Sequence, residues 1–213
     1  MTLRRWIPSL LALLWATVGP VFGQNTLPDE ALVEALRRGG YNIYFRHAAT
    51  DWSRQDQVTA VGDWTSCDPN RMRQLSDEGR ETARQIGTAI RRLGIPIGQV
   101  FSSEYCRAWQ TATAMDLGPT QKTRAVMNLR AAPYVGGPEA VTERARRAIG
   151  TPPPEGANTV FVAHGNLMQA VSGAYTGEAG AVVFAPRGNG KFKLVAQLTP
   201  DDWKALADRY GDR

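Results

Sequence analysis

Thr159-Val160-Phe161-Val162-Ala163 is uncharged and rich in β-branched and aromatic residues, which makes it the strongest strand signal in the chain. Tyr41-Asn42-Ile43-Tyr44-Phe45, set off by Gly39-Gly40, reads as a second short buried strand. Buried strands need cover on both faces, and the segments between them supply it as helices. Asp29 to Arg38 is amphipathic through Leu32, Val33 and Leu36 and stops at Gly39-Gly40. Ser76 caps a second helix, with Asp77 and Glu78 at its positive end and Ala83, Ile86, Ile90 and Leu93 as its apolar stripe. Ile97 to Ser102 is a further strand, followed by a helix through Arg107, Trp109 and Met115. Arg124 to Leu129 is a candidate strand and Pro138 to Ile149 a helix. Ala181 to Ala185 and Phe192 to Leu198 are two more strands, and Pro200 to Tyr210 is a closing helix. Strands alternating with helices predict a three-layer α/β/α sandwich with a mostly parallel central sheet.

The 213 residues provide for one sizeable domain, and no second domain or repeat is apparent. Residues 1–23 differ in character. Arg4 and Arg5 precede an apolar run from Trp6 to Val18, and Val21-Phe22-Gly23 offers a cleavage site. This is the anatomy of a secretory signal peptide. The run is shorter than the roughly 20 residues of a spanning helix, so no stable membrane anchor is expected after cleavage. The predicted organisation is 1–23 signal peptide and 24–213 a single domain, exported to the periplasm or secreted. Without the leader, 23 basic residues face 20 acidic ones, an excess of only +3. The charges interleave on helices and form no stripe of the kind that binds nucleic acid.

An exported chain can keep a disulfide, and Cys67 and Cys106 allow one intramolecular pairing, the alternative being two separate thiols. Between the first strand and the Ser76 helix lies a long polar segment, Ala49 to Arg73. A loop of that length in a compact domain is usually functional, and this one leaves the strand that carries His47.

The chain has two histidines, and each directly follows a buried strand and precedes a small residue, as His47-Ala48 and His164-Gly165. In open α/β sheets ligands bind beyond the carboxyl ends of the strands. Arg46 and Arg107 fall at similar junctions. Two arginines and two histidines at one sheet edge suit a dianionic tetrahedral group, which guanidinium forks hold bidentately.

Arg46-His47-Ala48, Ser102-Ser103-Glu104-Tyr105-Cys106-Arg107-Ala108 and Ala163-His164-Gly165 resemble the signatures of the histidine phosphatase, or phosphoglycerate mutase-like, superfamily. Gln74-Leu75-Ser76-Asp77-Glu78-Gly79-Arg80 resembles the helix start that the family places between the first two. The resemblance implies the phosphoglycerate mutase-like sandwich and hydrolysis of phosphomonoesters through a phosphohistidine on His47. Arg46, Arg107 and a protonated His164 would hold the phosphoryl oxygens, with Glu104 and Asn166 as further substrate contacts. No metal or cofactor is implied. The partner would be a small phosphorylated substrate, a cell-envelope glycan among the candidates.

The resemblance breaks at the general acid. One branch of the family carries Glu in a Leu-x-Glu stretch, where this chain has Leu129-Arg130-Ala131. Another has Asp after the second His, where this chain has Gly165. Glu178 is the substitute expected here, ahead of Glu104 and Asp51. Without an acid, good leaving groups such as acyl, anomeric or histidine phosphates gain plausibility. Two rivals follow. Cys67 and Arg73 match the Cys-x5-Arg spacing of cysteine-dependent phosphatases, but no buried strand precedes Cys67 and the loop holds Pro69 and Met72. The other is a phosphate-binding module with little or no turnover.

Overall fold

The computed structural model describes residues 25–211; the predicted signal peptide lies outside them. Six strands form one sheet in the order β3-β2-β4-β1-β5-β6. In chain order these are β1 (Asn42–Arg46), β2 (Ile97–Ser103), β3 (Thr120–Thr123), β4 (Asn158–Ala163), β5 (Ala181–Pro186) and β6 (Phe192–Leu198). The β3-β2, β2-β4 and β4-β1 pairs are parallel, whereas β1-β5 and β5-β6 are antiparallel. The predicted sandwich is present, with a parallel half and an antiparallel edge. The edge arises because Gly188 and Gly190 let the chain turn straight back from β5 into β6, with no crossover helix between them.

Every residue of β4 is buried, so helices cover both of its faces. The helices are α1 (Asp29–Arg38), α2 (Asp77–Arg92), α3 (Cys106–Met115), α4 (Gly137–Gly150), α5 (Gly165–Ser172) and α6 (Pro200–Tyr210). One group joins α2 to α3 and α6, with α1 against α6; α4 packs with α5. Ser76 caps α2 as expected, its Oγ accepting the Gly79 amide at 3.0 Å. Gly87 sits where α2 crosses α3, and a Cβ there would collide with the Met115 carbonyl. That close approach explains a helix-interior glycine, despite its cost of about 1 kcal/mol in helix propensity.

The expected strand at Arg124–Leu129 is not one. The edge strand lies earlier, at Thr120–Thr123, and short 3₁₀ turns cover Arg124–Val126 and Leu129–Tyr134. The sequence gives the reason: Thr123 and Asn128 each turn a side chain back to accept an amide two residues on, from Ala125 and Arg130. Such local bonds compete with a sheet ladder.

The long segment after β1 is folded back and fixed rather than loose. Gln57 pairs with Arg71 through the backbone, and Thr50 forms a bridge with Leu75. Trp64 is fully buried and donates Nε1–H to Glu104 at 2.8 Å. The Cys67–Cys106 disulfide is formed, with a Cα separation of 5.4 Å, and ties the segment to the first residue of α3. Replacing both cysteines by serine should lower stability by about 4 kcal/mol in the chain-entropy account. For a domain of this size that is a fall of roughly 10 °C in Tm. Thermal unfolding with and without reductant checks it: the wild type in reductant should match the double variant.

Candidate active site

The site follows from strand register. β1 and β4 are parallel neighbours with Arg46 opposite Ala163, so the next residue of each strand, His47 and His164, emerges at the same sheet edge. Their rings lie 5.7 Å apart at 66°. β2 flanks β4 on its other side and brings Ser103 to the same edge, and α3 and α5 begin there. Helix starts at that edge favour an anion.

A cavity of about 190 Å³ lies at this edge, lined by Arg46, His47, Arg107, His164, Asp56 and Arg73 among others. A larger depression of about 450 Å³ lies between α2 and α6, and no candidate residue lines it. The imidazoles are almost completely buried. His47 Nδ1 is 2.9 Å from the Ala48 carbonyl, which can only accept. The proton therefore sits on Nδ1, leaving the lone pair on Nε2. Thr111 fixes this turn by accepting the Ala48 amide at 3.1 Å and donating to the Arg107 carbonyl at 2.7 Å.

His164 is held from three directions. Tyr44, on β1, donates its hydroxyl proton to the His164 carbonyl at 3.0 Å and accepts the His164 amide at 3.1 Å. The Tyr105 ring meets the imidazole edge-on at 4.7 Å. Ser103 Oγ lies 2.8 Å from Nε2, its other acceptor being the sulfur of Met127 at 3.9 Å. Nitrogen is the better acceptor for the single hydroxyl proton, so His164 Nε2 accepts and Nδ1 carries the ring proton. That Nδ1 is buried and has no hydrogen-bond partner among the described residues.

Burial drives both imidazoles well below their ordinary pKa, and the Arg107 charge adds to it in each case. A neutral His47 is a ready nucleophile. Burial and the Arg107 charge disfavour a second proton on His164 in this surrounding, yet its Nδ1–H remains a donor.

Arg107 is the most constrained cation. Its Nη1 and Nη2 bond the two carboxylate oxygens of Asp56, each at 3.0 Å, and both side chains are buried. Removing either partner of such a pair costs about 3–5 kcal/mol. The Nε–H of Arg107 is buried and unpartnered among the described residues, so one edge of the guanidinium is still available. Arg46 Nη1 donates to the Tyr175 hydroxyl at 3.1 Å and the Thr176 carbonyl at 3.2 Å. Arg73 stacks on Trp52, its guanidinium carbon 3.6 Å from the ring centre, and burial lowers its pKa to about 10, helped by Arg107.

The candidates divide by placement. Arg46, His47, Arg107, His164 and Asn166 line the cavity, the last donating to Asn128 at 2.9 Å. Glu104 is engaged by Trp64 and by Arg124 at 3.1 Å and does not line it. Glu178 accepts from Thr50 at 3.0 Å and lies 3.8 Å from Arg46 Nη2, also outside the lining. Cys67 is in the disulfide and has no thiol to offer, which removes the cysteine-dependent chemistry. Sequence reasoning missed Asp56 and Tyr44, and it placed Arg73 in the cysteine-dependent alternative. Only a search for the counter-ion of a buried Arg107 within the long loop would have found Asp56.

The sequence model of the histidine phosphatase superfamily (branch 1) matches residues 43–134, from β1 through the Asp56 loop and Arg107. That stretch is similar to the histidine phosphatase superfamily, and it carries β1, the long loop and Arg107. Solved structures agree on the fold. A Mycobacterium tuberculosis open-reading-frame product is 19% identical, with 76% of this chain covering 100% of it at a TM-score of 0.52. A phosphoserine phosphatase mutant from Entamoeba histolytica, in complex with phosphoserine, is 13% identical, over 76% of this chain and 98% of its own, at 0.51. A mycobacterial glucosyl-3-phosphoglycerate phosphatase with VO3 is 17% identical, over 74% and 98%, at 0.50. No match was found among the curated proteins. The match to this superfamily's model supports phosphatase activity in general terms.

The buried neutral histidines make stability depend on pH. An unfolded histidine takes up a proton near pH 6.5, while His47 and His164 in the fold resist it. Acid therefore favours the unfolded chain, and stability should fall as pH drops below about 6.5. The slope is up to about 1.4 kcal/mol per pH unit for each imidazole. Urea unfolding in phosphate-free buffer between about pH 7.5 and about pH 5 reads it, and His164→Gln should flatten the curve.

Proposed function

We propose that this protein is an exported phosphatase that hydrolyses phosphomonoesters through a phosphohistidine on His47. The observation that carries the reading is the fixed tautomer of His47, a neutral ring with its Nε2 lone pair free beside Arg46, Arg107 and His164. The phosphoryl group sits among these three donors. Arg46 donates from its guanidinium, Arg107 from its free Nε–H edge and His164 from Nδ1–H. His47 Nε2 attacks phosphorus in line, the ester bond breaks, and water later releases phosphate and restores the ring. Binding a dianion raises the proton affinity of His164, which converts it to the cationic donor as charge develops. Asn166 orients the substrate, and Glu178 keeps Arg46 aimed through its 3.8 Å ion pair and the Thr50 hydrogen bond.

The leader-like residues 1–23 and the formed disulfide support export to the periplasm or beyond. Trp52 and Tyr175 are both more than half exposed and both line the cavity, which suits the ring of a phosphorylated sugar. A cell-envelope glycan phosphate is the substrate class that these features favour together. A phosphate-binding module without turnover is the second reading, favoured by the absence of a carboxyl group at residues 131 and 165.

Rapidly quenched mass spectrometry during turnover of an aryl phosphate tests the choice. The wild type should carry one phosphoryl group on His47. His47→Ala should lose the adduct and at least about a thousandfold in kcat. Phosphate binding with neither adduct nor turnover would establish the binding module instead.

A further inference from the structure

We infer that Asp56 is the general acid of this site, an assignment that rests on the phosphohistidine reading above. The two positions from which the superfamily's branches supply an acid are closed here. Residue 131 is Ala, fully buried, and residue 165 is Gly. A Cβ on Gly165 would lie 3.1 Å from Arg46 Cδ, so a side chain there would require Arg46 to give by a few tenths of an ångström. Among the described residues that line the cavity, Asp56 is the one carboxylate. It reaches that place from the long loop, and the disulfide to Cys106, next to Arg107, holds the loop down.

Three contacts define its state. Arg107 takes both oxygens at 3.0 Å and the Arg73 amide donates to Oδ1 at 3.0 Å. The other charged or titratable groups facing the cavity are the guanidiniums of Arg46, Arg73 and Arg130 and the two neutral imidazoles. With these neighbours alone the carboxylate is the counter-ion that permits Arg107 to be buried. A phosphoryl dianion entering beside it changes the balance. The dianion competes for Arg107 and loosens its hold on the carboxylate. The assigned role is for Asp56 to carry one proton at the cavity wall when the ester is bound.

The cycle balances. The Nε2 lone pair of His47 forms the N–P bond as the P–O ester bond breaks. The bonding pair stays on the leaving oxygen, which takes the Asp56 proton and departs as alcohol. In the second half a water oxygen bonds to phosphorus and passes its proton to the Asp56 carboxylate. The N–P electrons return to Nε2, phosphate leaves, and Asp56 is again protonated. One residue serves as acid and then as base, with no other reactant than water.

Leaving-group dependence separates this role from simple support of Arg107. An enzyme with a working acid loses little rate as the leaving alcohol becomes more basic, whereas one without it depends steeply on leaving-group pKa. The experiment measures kcat/KM for a series running from 4-nitrophenyl phosphate to an alkyl ester such as 2-phenylethyl phosphate. The wild type, Asp56→Asn, Asp56→Glu and Glu178→Gln are compared. The wild type should show a shallow dependence. Asp56→Asn should lose about 100- to 10,000-fold more on the alkyl ester than on the nitrophenyl ester. Asp56→Glu should recover part of that difference, and Glu178→Gln should slow both esters alike. Equal losses on both esters in Asp56→Asn would make Asp56 a positioning residue and overturn the assignment. Selective loss in Glu178→Gln would overturn it in favour of Glu178. A steep dependence in the wild type overturns it without any variant, so the test survives an Asp56→Asn protein that fails to fold. No turnover of any ester, with no adduct on His47, defeats the phosphatase reading and this assignment with it.

Discussion

The structure depends on the parallel pairing of β1 with β4 in a single register. Arg46 opposite Ala163 is the last pair of that ladder, and everything that carries chemistry begins one residue later. A slip of one residue would turn His47 or His164 to the opposite face of the sheet. The slip is prevented by burial, since β4 is covered at every position and Ile43, Tyr44 and Phe45 are fully buried. Side-chain bonds at the far end reinforce it. Asn42 Nδ2 donates to the Ile149 and Thr151 carbonyls, and Asn158 Nδ2 to those of Leu36 and Pro96. Buried amides of this kind specify one alignment because a misaligned strand would leave them unpaired. Packing at one end of the sheet thus sets the geometry at the other.

At the active edge the physical problem is to bury cations without losing them. Arg107 is solved by Asp56, Arg46 by Glu178, Thr176 and Tyr175, and Arg73 by the face of Trp52. The two imidazoles take the other route and stay neutral. These choices are coupled, since the positive charge of Arg107 is the leading electrostatic contribution to the lowered basicity of both rings. A neutral His47 has its lone pair ready, and a cationic surround awaits a dianion. The same arrangement that disfavours protons in the pocket favours phosphate there.

Much of this was legible in the chain. The two strand-end histidines, the arginine beside each of the first two junctions and the helix caps all follow from local pattern, and the disulfide from there being one possible pair. What escaped depended on distance in the sequence. Asp56 is one acid among several in a polar loop, and only the fold brings it to Arg107, 51 residues away. Glu104 and Glu178 were singled out for proximity to motifs, whereas in the fold both carboxylates turn to other partners, Trp64 and Arg124 for one, Thr50 and Arg46 for the other. The misplaced strand at Arg124–Leu129 failed for a different reason: Thr123 and Asn128 bend the backbone through short-range hydrogen bonds that hydrophobic periodicity does not register.

The claim on which the account turns is that the sheet edge delivers His47 as a neutral ring, protonated on Nδ1 with Nε2 free. Imidazole nitrogen NMR of the uniformly labelled protein at neutral pH reads this directly, with His164→Gln to assign the two rings. The account predicts an unprotonated Nε2 and a protonated Nδ1 for His47, unchanged as pH falls through about 6.5, the ordinary histidine range. A His47 ring that titrates there, or that carries its proton on Nε2, would contradict it.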